Sequence, residues 1–505
     1  MAGPGNLSKS KLVAYRQCPK RLWLEVHRPE LRVDSPATQA VFRTGHEVGE
    51  VAQRLYDPGG TGEVVDFKAE GLAAALDRSR ELLQGDGPVF EAGFAAGGAL
   101  AFADVMLRAG GPDRPGWRMV EVKASTSVKR YQEDDVAIQS HVARAAGVDL
   151  RGVAIAHIDS SWTYPGDGDY RGLLVERDLT DTAFPRAAEV GLWIDVAQAV
   201  AAAPEAPAIA VGPQCENPFR CGFLEHCTAG RPVAEFPLEW LPGRRSPALE
   251  AYVAEHAVDD LRDLPDRLLT ERQRRVRDVS ASGVPYFDAE GAARDLAPYP
   301  LPAWFLDFET IQFGVPRWAG TRPFQMLPFQ FSVHRLEPDG TLAHAGFLDL
   351  SGEDPSERFA RRLVELCGEP LPVFVYNAAF EGARLAELAQ RFTGLQEPLL
   401  DLKRRLVDLY PIALRRFYHP QQRGSWSIKY LLPVVAPHLD YGALPGVHDG
   451  TQAMEAYLEA VDRSTPTARK AEIEHALVRY CELDTLAMVE IWRVFNDGGT
   501  GADIA

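Results

Sequence analysis

Cysteine is scarce, with six in 505 residues, and no run of about 20 apolar residues or signal-peptide core occurs. The first scarcity excludes a disulfide-built scaffold. The second leaves no membrane-spanning segment and predicts a cytoplasmic chain with no membrane partner. Positive charge is also in deficit, since 54 Lys+Arg against 71 Asp+Glu gives a net −17. That balance excludes a wholly basic nucleic-acid coat, but not an enzyme whose metals and local basic patches meet phosphate. A phosphate-binding G-x-x-x-x-G-K-[ST] loop is missing, so any duplex unwinding would fall to a separate helicase. Internal repeats are absent, and low complexity is confined to the Ala-rich "VAQAVAAAPEAPAIAV".

What is present is ordinary globular material, 46% hydrophobic and 25% charged, in a chain too long for one core. Residues 1–230 read as one α/β unit. "LSKSKLVAYRQCPKRLWLEV" and "VFRTGHEVGEVAQRLY" carry helical spacing, 87–125 alternate and turn like a β-meander, and a helix and strand follow in "DDVAIQSHVARAAG" and "GVAIAHI". Residues 231–297 are rich in proline and charge, with a helical "ERQRRVRDV", and predict a partly helical connector. A second α/β unit is expected over 298–495, with three consecutive strands, a helix, the strand "PVFVYN" and then mostly helix. Residues 496–505 read as a flexible tail. Basic residues cluster at Lys9, Lys11, Arg16, Lys20 and Arg21, and again at Lys403, Arg404, Arg405, Arg415, Arg416 and Arg423, as solvated helix faces or phosphate-facing patches.

The stretch "AWFLDFET" ends an apolar strand on Asp307 and Glu309, which alternation places on one face. Two such charges repel unless solvated or neutralised by a cation. Further along, "YNAAFEGARLAEL" puts Glu381 on a first helical turn, and "ALVRYCELDTLAMVEIW" puts Tyr480 and Asp484 on one helix face. Asp408 in "RLVDLYP" is either a supporting acid or a helix cap. "GSWSIKYLLP", with Ser425, Ser427 and Lys429, is either a phosphate-facing or an ordinary helix start. The order "DFET", "YNAAFE", "YCELD" resembles the RNase H-like three-prime-to-five-prime exonucleases called DEDDy. The resemblance implies that Asp307, Glu309, Glu381 and Asp484 hold two Mg²⁺ or Mn²⁺ ions while Tyr480 orients the attacking water. Glu381 departs from that family, which has aspartate there; the longer arm puts the metal spacing in question.

In the first unit, "AFADVMLR" and "WRMVEVKAS" give Asp104 on one strand and Glu121 and Lys123 on one face of the next. Asp135 and Gln139 follow one helical turn apart. Two carboxylates suit a metal and a lysine suits a scissile phosphate. The pattern resembles the RecB-type branch of the PD-(D/E)xK nucleases, which implies catalytic roles for Asp104, Glu121, Lys123 and Gln139. It also implies an upstream histidine ligand, here His46, with Glu50 or Glu91 as alternatives. Cys18 and the trio Cys215, Cys221 and Cys227 bracket this segment. Iron-sulfur members of the branch have such a layout, which implies a 4Fe-4S cluster, with Zn²⁺ as the alternative for this spacing. Cys367 and Cys481 fall in helix patterns and read as core.

Together the two constellations resemble a bacterial family of RecB-like nucleases fused to a C-terminal RNase H-like exonuclease domain. The expectation is a metal-dependent nuclease, acting on DNA, with a restriction-endonuclease-like N-terminal domain and an RNase H-like mixed-sheet domain. The alternative is a nucleic-acid-binding or scaffold protein in which one or both sites are inactive.

Overall fold

Near-continuous apolar runs make strands that are buried on both faces, whereas alternating runs make strands covered on one. The computed structural model, which describes residues 5–110, 116–230 and 233–498, has both kinds. It is a mixed α/β chain in two units, 1–231 with 313–325, and 232–312 with 326–505.

In the first unit, α1 (Lys9–Gln17) and α2 (Pro19–His27) are separated only by Cys18, and α3 (Pro36–Tyr56) follows. Strands β1 (Val89–Ala96), β2 (Ala99–Ala109) and β3 (Gly116–Lys123) form the expected meander. Helix α4 (Arg130–Ala145) then crosses to β4 (Leu150–Ile158), and β5 (Leu174–Asp178) closes the edge. The pairs β1/β2, β2/β3 and β4/β5 are antiparallel, and β3/β4 is parallel, as a helical crossover requires. Helix α5 (Ala187–Ala202) joins α4 over a core containing Met119, Val136, Val153 and Ile194. Residues 313–325 belong to this unit: Val315 packs with Val48 and Val51 of α3, and Tyr164 and Thr321 share a backbone hydrogen bond.

The second unit begins earlier than the sequence suggests. Residues 233–297, expected as a connector, contribute Leu249, Leu261, Val276 and Leu296 to one core with Phe305, Phe374 and Trp492. Their proline content marks short 3₁₀ turns, and α6 (Glu271–Ser282) is held by a capping box between Thr270 and Gln273. The sheet then forms from β6 (Ala303–Ile311), β7 (Leu327–Leu336), β8 (Leu342–Leu348), β9 (Val373–Val375) and β10 (Leu406–Asp408), in the spatial order β8-β7-β6-β9-β10. The first three are antiparallel, and β6, β9 and β10 are parallel. Helices α7 (Ser356–Leu366) and α8 (Ala378–Arg391) cover the face of Trp304, Leu306 and Phe308. Short helices α9 (Leu409–Arg416) and α10 (Ile428–Val435) follow, and α11 (Thr467–Asp497) covers the face of Ala303 and Phe305. Gly424, at φ +80°, lets the backbone of Trp240 approach so closely that a Cβ there would lie 1.8 Å from its carbonyl oxygen. Of the stretch expected as a tail, 496 and 497 end α11, and 499–505 lie outside the described residues. Among the described residues no helix is long and apolar enough to cross a membrane.

Candidate metal centre

Strand β6 is central, which explains its apolar run, and its alternation sends Ala303, Phe305, Asp307 and Glu309 to the face beneath α11. The apolar members seat the helix, and the acids emerge where the strand leaves the core. Opposite them the register of β7 slips between Pro328 and Gln330, a β-bulge beside Glu309. Asp484 descends from α11 to the same place. Asp307, Glu309 and Asp484 each bring a carboxylate oxygen within 4.8 Å of the other two.

This crowding has an electrostatic cost. Burial first, then the charges of Asp484, Glu309 and Glu381, push Asp307 well above the ordinary carboxylate range. Burial and Asp484 raise Glu309 to about 8, against the pull of the Lys429 ammonium. Burial raises Asp484 only to about 6, because Tyr441, Lys429 and Tyr480 favour its ionised form. The Tyr441 hydroxyl donates to Asp484 Oδ1 at 2.5 Å. Tyr480 is buried beside this carboxylate, its own phenol held protonated by burial and by the three acids. Lys429 donates to the carbonyl of His448 at 2.6 Å and lies over the rings of Tyr480 and Tyr441, 5.2 and 5.7 Å from their centroids.

Glu381 stands on the first turn of α8, 2% exposed, with Oε2 lacking any hydrogen-bond partner. Burial raises its carboxyl to about 8, with Asp408 adding to the effect. It lies outside the 4.8 Å trio, though its charge is felt at Asp307. Asp408 resolves the choice left open for it: it caps α9 through the amide of Tyr410 and also accepts from the amides of Asn377 and Ala378, at 3.0 Å each. One carboxylate thereby fixes the start of the helix that carries Glu381. Of the three residues singled out in "GSWSIKYLLP", Lys429 reaches the site, while Ser425 Oγ accepts locally from the amide of Ser427. Cys481, expected in the core, is fully buried there and lies 3.9 Å from Asp307 Oδ2.

The first unit gathers its own set. Asp104 and Glu121 follow one another across β2/β3, one position beyond the Val105–Val120 pair. Glu91, at φ +54° in β1, stands opposite Asp104, between the paired positions Phe90–Val105 and Ala92–Ala103. These acids, with His46 and Lys123, line one cavity of about 230 Å³. Glu121 Oε1 accepts from Lys123 at 2.6 Å and Lys9 at 2.8 Å, and Gln139 donates to Oε2 at 2.6 Å. Lys123 also meets Asp135 at 2.6 Å. Burial opposes ionisation of Glu121, but the two ammonium groups outweigh it and hold the carboxyl far below its usual range. Asp104, which accepts from the amide of Val122 at 2.6 Å, is instead pushed well up by burial and by Glu121. His46 lines the cavity from an exposed position on α3.

Cys18, Cys215, Cys221 and Cys227 line one small pocket, none of them in a disulfide. Gln17 ties the two sequence ends together by donating to the carbonyls of Gln214 and Phe219, at 2.8 and 2.7 Å. Burial raises the Cys221 thiol, and Cys215 and Cys18 add to the shift.

Lys9 and Tyr441 were not expected at these sites. Lys9 showed only as part of a basic cluster 112 residues from its partner Glu121, and "LDYGALPG" offers no spacing that marks its tyrosine. The profile of a family described as a domain of unknown function, DUF2779, matches residues 304–427. That span takes in Asp307, Glu309, Glu381 and Asp408 and stops before Tyr480 and Asp484. None of the curated proteins compared matches the chain.

Proposed function

We propose that the protein is a metal-dependent nuclease hydrolysing phosphodiester bonds of DNA, with its principal site at Asp307, Glu309, Glu381 and Asp484. The observation that carries this reading is the carboxylate trio, Glu309 and Asp484 buried and Asp307 half-buried, together with the orphaned Glu381 oxygen. Four acids with too few counter-charges suit hard divalent cations such as Mg²⁺ or Mn²⁺. When bound, such cations neutralise the acids, acidify a water and stabilise the leaving oxygen of phosphodiester hydrolysis. The chain's own part is positional. Tyr480, kept protonated, can donate to the attacking water, and Lys429 favours the ionised forms of Glu309 and Asp484. The strand order β8-β7-β6-β9-β10 supports an RNase H-like domain.

The meander, crossover helix and parallel strand of the first unit support a PD-(D/E)xK-type domain. There Asp104 and Glu121 would hold a cation and Lys123 would face phosphate. Four thiols around one pocket suit a 4Fe-4S cluster, with Zn²⁺ as the alternative.

The test is degradation of end-labelled DNA with Mn²⁺. Glu381→Asp, which restores the shorter arm, is expected to keep or raise the rate, and Glu381→Gln to lower it on the order of 100-fold, because a neutral amide holds a hard cation more weakly than a carboxylate. Equal rates for wild type and Glu381→Gln would remove Glu381 from the site. Binding without cleavage by any variant or metal would favour the scaffold alternative.

A further inference from the structure

Apart from its metal centre, the second unit contains a cavity of about 610 Å³ whose wall carries five arginines, Arg244, Arg272, Arg275, Arg415 and Arg416, with Tyr286 beside them. In a chain of net charge −17 this is a local inversion of sign. Three of the five are engaged. Arg275 donates to the Arg415 carbonyl at 2.8 Å, pairs with Glu271 and lies over the Tyr286 ring at 4.0 Å. Arg416 is clamped by Asp288 and Asp295, and Arg415 reaches Asp295 at 3.2 Å. Arg244 and Arg272 are exposed and have no carboxylate partner among the described residues. The carboxylates therefore fix the rear of the wall and leave two guanidinium forks facing solvent.

We propose that this cavity is a phosphate-binding cleft that anchors a single strand of nucleic acid, with Arg244 and Arg272 as its contacts. The inference rests on the nuclease reading and assigns a second point of substrate contact to the same unit. Guanidinium groups match phosphate oxygens in pairs of parallel hydrogen bonds, which an ammonium cannot do. At the start of α6 the amides of Thr270 and Gln273 are already taken up by the capping box, so the attraction comes from the guanidinium groups.

Position favours a polymer over a free anion. Helix α9 starts directly after its cap Asp408, which also fixes the helix carrying Glu381, and ends at Arg415 and Arg416 in the cavity wall. Its eight residues span about 12 Å. The cleft thus lies about one short helix from Asp408, the carboxylate that supports the Glu381 helix, a length that a few nucleotides at ~3.4 Å or more each would span.

The test uses the full chain, a fluorescein-labelled single-stranded 20-mer and no added divalent cation, with anisotropy read from 50 to 200 mM salt. Arg244→Glu/Arg272→Glu is expected to weaken binding at least tenfold. Loss of two phosphate contacts should also lower the log–log salt slope by about 1.4, at ~0.7 per contact. Arg244→Gln/Arg272→Gln should give the same change in slope without charge reversal. Unchanged affinity and slope in both variants would overturn the cleft and leave the nuclease reading intact. Displacement of the labelled strand by inorganic phosphate or ATP at concentrations too low to change the ionic strength would overturn the polymer as its ligand. Variants that weaken binding in a protein that never cleaves DNA would uphold the cleft and remove the nuclease reading.

Discussion

Metal-free protein should lose stability in mildly alkaline solution, and a divalent cation should restore it. Glu309 has its folded-state value raised from 4.5 to about 8. A group so raised binds a proton in the folded state that the unfolded chain has already released. Its contribution is therefore favourable at low pH and is lost as pH rises through the folded value. His334, pushed down to about 4 by burial and by His344, acts in the opposite sense, but only below its ordinary value of 6.5. Between pH 6.5 and 8 His334 no longer contributes, Glu381, also raised to about 8, acts in the same sense as Glu309, and the Glu309 share, about 1.5 pH units at 1.36 kcal/mol each, is about 2 kcal/mol. At about 2–4 °C per kcal/mol for a unit of this size, the Glu309 share alone should lower Tm by roughly 4–8 °C across that interval without metal. Millimolar Mn²⁺ should restore most of that loss at pH 8 and do less at pH 6.5. Glu309→Gln removes one titrating group and should make the profile shallower by that share, leaving the part due to Glu381. Differential scanning fluorimetry at constant ionic strength is sufficient. A metal-free profile that is flat in wild type, or equally steep in Glu309→Gln, would refute the reasoning.

Two further outcomes follow from the supports of the sites. Asp408→Ala removes a cap and frees the amides of Asn377 and Ala378, so it should cost about 1–2 kcal/mol in denaturant melts and lower cleavage by more than the lost folding explains, because Glu381 loses its fixed base. Protein purified without air should be brown from thiolate-to-iron charge transfer, and Cys18→Ser should bleach it and destabilise the first unit; a colourless protein with stoichiometric zinc would replace iron with zinc, and a metal-free folded one would exclude both.

Legibility in the sequence followed the range of the interactions. The meander of β1–β3, the strands β6–β8 and the long α11 were readable because alternation and helical spacing are local. Asp307 and Glu309 were readable because strand geometry alone puts them on one face. Asp484 could be joined to them only through a family resemblance, since nothing local ties positions 177 residues apart. Residues 233–297 were misread because their prolines and charges mark short 3₁₀ turns and exposed helix faces, while the few leucines that enter the core are widely spaced. Lys9 and Tyr441 lay beyond reach for the same reason: each acquires meaning from a partner brought to it by tertiary structure. The fold also settles what local reading left open at Asp408, which is at once a helix cap and a support for Glu381.

The central claim is that the carboxylates beneath α11 carry metal-dependent phosphodiester hydrolysis. Its most direct measurement is single-turnover cleavage of an end-labelled DNA strand by wild type and Asp307→Asn in Mn²⁺, with strand binding followed in parallel. The expected result is cleavage by wild type that chelation abolishes, a loss of at least ~100-fold in Asp307→Asn, and unchanged affinity for the strand. Cleavage by Asp307→Asn at the wild-type rate, lost instead in Lys123→Ala, would contradict the claim and place the chemistry in the first unit.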